Sequence, residues 1–99
     1  MGVAVNAQDA SGNTALMGTC FKGYHDMAKL LIENGADINI QNVQGTTALI
    51  FAATFGHSEM VRLLLKNGAD KRIKDQVGND ALVYAQKQGN KSLIDLLLT

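Results

Sequence analysis

Gly12, Gly45 and Gly78 stand 33 residues apart, and many residues around them keep the same interval. Ala15, Ala48 and Ala81 do so, as do Leu16, Leu49 and Leu82, then Gly23, Gly56 and Gly89, then the Leu-Leu pairs that begin at Leu30, Leu63 and Leu96. The string NGAD occurs at 34–37 and again at 67–70. A fixed period of this length means one supersecondary unit repeated. Each copy is too small to bury its own apolar face, so the copies must stack. Three units account for the 99 residues as a single domain, with repeats at about 9–41, 42–74 and 75–99 and a partial hairpin segment at 1–8 before them.

Within a unit the pattern reads turn, helix, turn, helix. Thr14, Thr47 and Asp80 each precede an apolar stripe and offer a side-chain oxygen to cap the free N–H groups of a helix start. The stripes are Leu16, Thr19 and Cys20, then Leu49, Ala52 and Ala53, then Leu82, Ala85 and Gln86, each at the i, i+3, i+4 spacing of one helix face. Gly23, Gly56 and Gly89 end these short helices. Second helices follow, with stripes at Met27, Ala28, Leu30 and Leu31, at Met60, Val61, Leu63 and Leu64, and at Leu93, Ile94, Leu96 and Leu97. They stop at Asn34-Gly35 and Asn67-Gly68. Proline-free segments of the kind ADINIQNVQGT join one unit to the next and read as protruding hairpin-like loops. The first helices carry small residues where the second carry large ones, so the stack is expected to curve with the first helices on its concave side.

These features resemble the ankyrin repeat. The pattern G-x-T-P-L-H-x-A-A-x-x-G-H-x-E-x-V-x-L-L-L-x-x-G-A-D is matched best by GTTALIFAATFGHSEMVRLLLKNGAD at 45–70, with GNTALMGTCFKGYHDMAKLLIENGAD and GNDALVYAQKQGNKSLIDLLLT on either side. The resemblance implies an all-α, ankyrin-type helical solenoid of three helix-turn-helix repeats with protruding hairpin loops. Two departures stand out. The proline at the first helical turn is Ala15, Ala48 and Ala81, and the following histidine is Met17, Ile50 and Val83. Helices built this way still form, since alanine is a good helix former. A histidine-based hydrogen-bond ladder between loops is lost, and more mobile loops are expected.

Charge and composition narrow the function. Nine basic and nine acidic side chains cancel, so nothing here favours nucleic acid, which needs a basic face. Residues 1–41 hold two lysines against four acidic groups, and residues 42–99 seven basic groups against five. No apolar run approaches the ~18–20 residues of a membrane span. One cysteine, Cys20, allows no internal disulfide and fits a reducing, cytoplasmic setting. It falls where the family has a buried alanine and reads as core rather than as a reactive thiol. His57 reads as a loop-bonding structural histidine and His25 as solvated; one Cys and two His at unrelated repeat positions make no zinc set. No catalytic, cofactor or metal residue is assigned, and the chain is read as a non-enzyme without cofactor. Asn39, eight residues after Leu31, resembles the asparagine that protein hydroxylases modify in some ankyrin domains.

The resemblance implies a protein-binding module whose partner, of unknown identity, is held by the hairpin tips and the concave face of the first helices. Carried over by register, the tips are Ala10, Ser11 and Asn13; Val43, Gln44 and Thr46; and Gln76, Val77 and Asn79. The ends of the first helices add Phe21 and Lys22, Thr54 and Phe55, and Lys87 and Gln88. Phe21, Phe55, Val43 and Val77 have no evident core role, and aromatic groups on such a surface are common interface anchors. The alternative for each is packing against a neighbouring loop. Two other readings stay open: an engineered or structural scaffold with no dedicated partner, and a fragment of a longer array. The first two copies share only 13 of 33 aligned positions, which argues against a pure consensus design. The third copy presents polar Gln86, Lys87 and Gln88 at its outer face. The first retains Met17, Phe21 and Met27, so residues 1–13 fold over that edge, or a longer array continues there, or two chains pair; a monomer or a weak homodimer through the first repeat is expected.

Overall fold

A computed structural model describes residues 4–99; residues 1–3, the start of the partial hairpin segment expected at 1–8, lie outside the described residues. Six helices follow in pairs: α1 (Ala15–Lys22) with α2 (His25–Glu33), α3 (Ala48–Thr54) with α4 (Ser58–Lys66), and α5 (Ala81–Gln88) with α6 (Lys91–Leu98). No strand occurs among the described residues. None of these helices is long and apolar enough to cross a membrane.

The expected caps start the first helix of each pair. The side chains of Thr14, Thr47 and Asp80 accept from the backbone N–H of Met17, Ile50 and Val83, at 3.2, 3.2 and 3.1 Å. Each satisfies one of the four N–H groups that a helix start leaves without an intrahelical partner. The core runs lengthwise between the two helix rows and holds Leu16, Cys20, Leu49, Ala53, Met60, Leu64, Leu93 and Leu97. Large side chains buried this way each contribute roughly 1.5–3 kcal/mol. Small residues on α1, α3 and α5 let the first-helix row close up more tightly than the row of α2, α4 and α6. An elongated body of 44 × 26 × 20 Å results, as expected of units that touch only their neighbours.

Burial at the first pair departs from the sequence reading in two ways. Met27 and Leu30, expected in a buried stripe, are 50% and 52% exposed, whereas Met60, 33 positions after Met27, is 2% exposed. The cause is position. Met60 is covered by the preceding pair, and no described helix precedes α2. Met17, expected at that open edge, is instead buried, and its sulfur lies 3.4 Å from the backbone N of Thr14. Residues 4–8 run beside the first pair, where Asn6 bonds Gly35 and Asp37, but they leave a cleft of about 570 Å³ lined by Ala4, Val5, Ala7, Ala15, Leu30, Leu31 and Asn34.

The loops correct a third expectation. They do have a hydrogen-bond ladder, built without the missing histidine. Val43 N donates to Ser11 O at 3.0 Å and Gln76 N to Gln44 O at 2.9 Å. The Gln8 amide donates to Gln41 O at 3.2 Å, and the Gln41 amide repeats this to Lys74 O at 3.1 Å. Loops approach so closely that only glycine fits at the crossing. At Gly12 and Gly45, both at φ +79°, a Cβ would lie 2.8 Å from Val43 N and 2.9 Å from Gln76 N. The repeated glycine of the sequence thus reports loop-to-loop contact as well as a left-handed turn.

Candidate functional site

Three phenylalanines meet at the ends of α1 and α3. The Phe21 and Phe55 rings lie edge to face, with centroids 4.7 Å apart and planes at 80°, and Phe51 meets Phe21 edge-on at 6.5 Å. Phe21 and Phe55 remain 48% and 46% exposed, so they support each other more than they fill the core. An edge-to-face pair adds ~0.5–1.5 kcal/mol beyond burial, enough to hold both rings in place at the surface. His57 fixes the base of this group from the second unit, its Nε2 lying 3.2 Å from Phe21 O. Beside the rings is a cavity of about 360 Å³ lined by Asp9, Asn13, Thr14, Met17, Gly18, Phe21, Lys22 and Phe51.

The loop tips form a second group. Val43 and Val77 are 59% and 76% exposed. Each tip is a turn closed by its own acid or amide. Asp9 Oδ1 accepts from Ser11 and Asn13, Asn42 Oδ1 from Gln44 and Thr46, and Asp75 Oδ1 from Val77 and Asn79. The Gln76 amide donates to Val43 O at 2.6 Å, so its side chain ties one tip to the next and is engaged within the chain. Gln44, Thr46, Asp75, Gln76, Val77 and Tyr84 line a smaller groove of about 260 Å³.

At the third unit the Tyr84 hydroxyl donates to Asp75 Oδ2, and Lys87 Nζ stands 5.4 Å above the Tyr84 ring. Burial pushes the Asp75 carboxyl up, but the Tyr84 hydroxyl, the N–H groups of Asn79 and Val77, and Lys87 more than offset this and hold it below the usual carboxylate range. The same hydrogen bond, aided by burial, lifts the Tyr84 phenol above its ordinary value. Gln88 turns back to donate to Ala53 O and Thr54 O, and the Thr54 hydroxyl donates to Ile50 O at 2.7 Å. Those two polar groups therefore finish α3 rather than point outward.

The residues singled out from sequence thus fall into two clusters. Phe21, Lys22 and Phe55 gather at the first two units. Val43, Gln44, Thr46, Gln76, Val77 and Asn79 gather at the tips, with Lys87 beside them on Tyr84. Phe51, Tyr84 and Asp75 belong to these clusters and were missed. A signal existed: Gly18, Phe51 and Tyr84 occupy one register position, 33 residues apart, on the exposed flank of the first helices.

The remaining candidates are structural. Cys20 is fully buried, and burial pushes its thiol up to about 12, so it stays protonated and inert. His25 is partly exposed beside Asp26, 3.8 Å away. Both ends of the Asn39 amide are held, its Nδ2 by Gly68 O at 3.2 Å and its Oδ1 by Asp70 N at 2.8 Å, which repeats the role of Asn6. Among the described residues no group of three or more His, Cys, Asp or Glu could hold a metal ion.

Compared with protein-family models, the chain matches the one described as ankyrin repeats (three copies) over residues 1–75, which takes in the first two helix pairs and the start of the loop leading to the third. A search of curated proteins finds no match.

Proposed function

The chain belongs to the ankyrin repeat family, whose repeats generally serve protein–protein interaction and are generally non-enzymatic, and on that premise we propose that it holds a protein partner against the loop tips and the concave side of the first helices. The observation that carries this reading is the Phe21–Phe55 pair: two rings in mutual contact, each about half exposed, where the core does not need them. Ordered aromatic surface of this kind loses little conformational freedom on binding and gains much apolar burial. Lys22 beside the rings, and Gln44, Val43 and Val77 at the tips, would supply the polar rim and secondary contacts. A single reduced, buried cysteine suits an intracellular setting.

The test is affinity capture from lysate of the source cells with the wild-type chain and the Phe21→Lys/Phe55→Lys double variant, both checked by circular dichroism and urea unfolding. A defined set of proteins retained by the wild type and lost by a folded double variant is expected. Equal retention by both would sink the assignment of the binding face. Unfolding of the variant would show the two rings to be core and refute it equally.

A further inference from the structure

We propose that the cavity beside Gly18 is a socket for one large apolar side chain of the partner, and that Lys22 at its rim meets a carboxylate next to that side chain. This rests on the protein-binding reading above and names the chemistry of one contact within it.

The first-helix row presents Gly18, Phe51 and Tyr84 at equivalent positions. The second and third units fill that position with a ring, and the first leaves it empty. Gly18 lies within α1, without the positive φ of the loop glycines, and a Cβ built on it would meet nothing within 4 Å. Its backbone therefore does not require glycine, and a glycine inside a helix costs stability relative to alanine. The missing side chain opens a notch with Met17, Phe21 and Phe51 among its walls, about 360 Å³ in volume. That is at the small end of the roughly 300–1,000 Å³ of ligand pockets, enough for a single side chain.

Charge selects the neighbour of that side chain. Asp9 lines the notch, but its Oδ1 already accepts from Ser11 and Asn13. Lys22 is exposed, forms no ion pair among the described residues, and lies 5.9 Å above the Tyr24 ring. A cation without a carboxylate partner beside an apolar notch is complementary to an apolar residue followed or preceded by an acid.

The experiment titrates ¹⁵N-labelled protein with the capped dipeptide acetyl-Leu-Glu-amide and follows amide resonances. Saturable shifts centred on Gly18, Phe21 and Lys22 are expected, with about tenfold weaker binding of acetyl-Leu-Lys-amide and no saturation by acetyl-Ala-Glu-amide. Gly18→Leu, which fills the notch from within and favours the helix, should remain folded and lose the response. Absence of saturable shifts at Gly18, or an undiminished response in Gly18→Leu, would overturn the proposal. The same Gly18→Leu chain, used in the lysate capture, separates the two readings. If it retains the proteins that Phe21→Lys/Phe55→Lys loses, the socket is wrong and the binding face stands. If the double variant loses none, the binding face itself fails.

Discussion

His57 Nε2 lies 3.2 Å from the carbonyl oxygen of Phe21, and the same ring occupies the space above Gly23, where a Cβ would come within 2.8 Å of His57 Cε1. A carbonyl only accepts, so Nε2 carries the proton, and the second unit thereby caps the last turn of α1. Gly23 is required twice, by its φ of +75° and by this ring. Gly23→Ala should therefore cost about 1–2 kcal/mol for the left-handed backbone, plus about 0.5–1.5 kcal/mol for the displaced hydrogen bond. His57→Ala alone should cost about 1 kcal/mol. In the double variant the ring is gone and only the backbone penalty of Gly23→Ala remains, so the two losses should add to less than their sum. Urea unfolding of the four proteins measures this coupling, and strict additivity would show that the ring and the glycine do not interact.

Met27 and Met60 are the same residue in the same register with opposite surroundings. Met60 is 2% exposed between neighbouring helix pairs, and Met27 is 50% exposed at the first pair. Met60→Ala should destabilise the chain by ~2–5 kcal/mol through lost burial and the cavity left behind. Met27→Ala should stay within ~0.5 kcal/mol, as surface substitutions usually do. Equal losses in urea unfolding would mean that Met27 is covered in solution.

This pair also shows what the sequence can and cannot carry. Periodicity assigns both methionines to a helix face, because face is set by 3.6 residues per turn, but it does not say whether another unit lies against that face. The caps at Thr14, Thr47 and Asp80 were legible because a cap is a local event spanning three residues. The loop ladder was not. Gln8 and Gln41 are 33 residues apart and so visibly equivalent, yet their acceptors, Gln41 O and Lys74 O, are backbone groups of the next loop that any sequence supplies. Losing the family's histidine therefore looked like losing the ladder, when its role had passed to glutamine amides and loop backbone. At the candidate site, Phe21 and Phe55 were readable as apolar residues outside the buried stripes, but their contact joins two units. Tyr84 went unrecognised because its partner, Asp75, sits in the preceding loop.

The Asp75–Tyr84 hydrogen bond should give stability a plateau with two edges. The Asp75 carboxyl is held below its ordinary value, so its contribution is complete above the unfolded value of about 4 and is lost as pH falls through the lower folded value. The Tyr84 phenol is raised, so its contribution is complete below about 10 and is lost as pH rises through the higher folded value. Tyr84→Phe removes the bond but leaves Asp75 accepting from Val77 and Asn79. Because the bond lies near the surface, the variant should lose less than about 1 kcal/mol at neutral pH. The difference between wild type and variant should be constant from about pH 5 to 9 and shrink toward both extremes. Lys87, above the ring, stays charged throughout the plateau and should not shape it, so Lys87→Gln should retain both edges. Urea midpoints measured for the three proteins from acid to alkaline pH provide the check. Curves for wild type and Tyr84→Phe that run parallel at every pH would show that Asp75 and Tyr84 do not share a proton-linked bond.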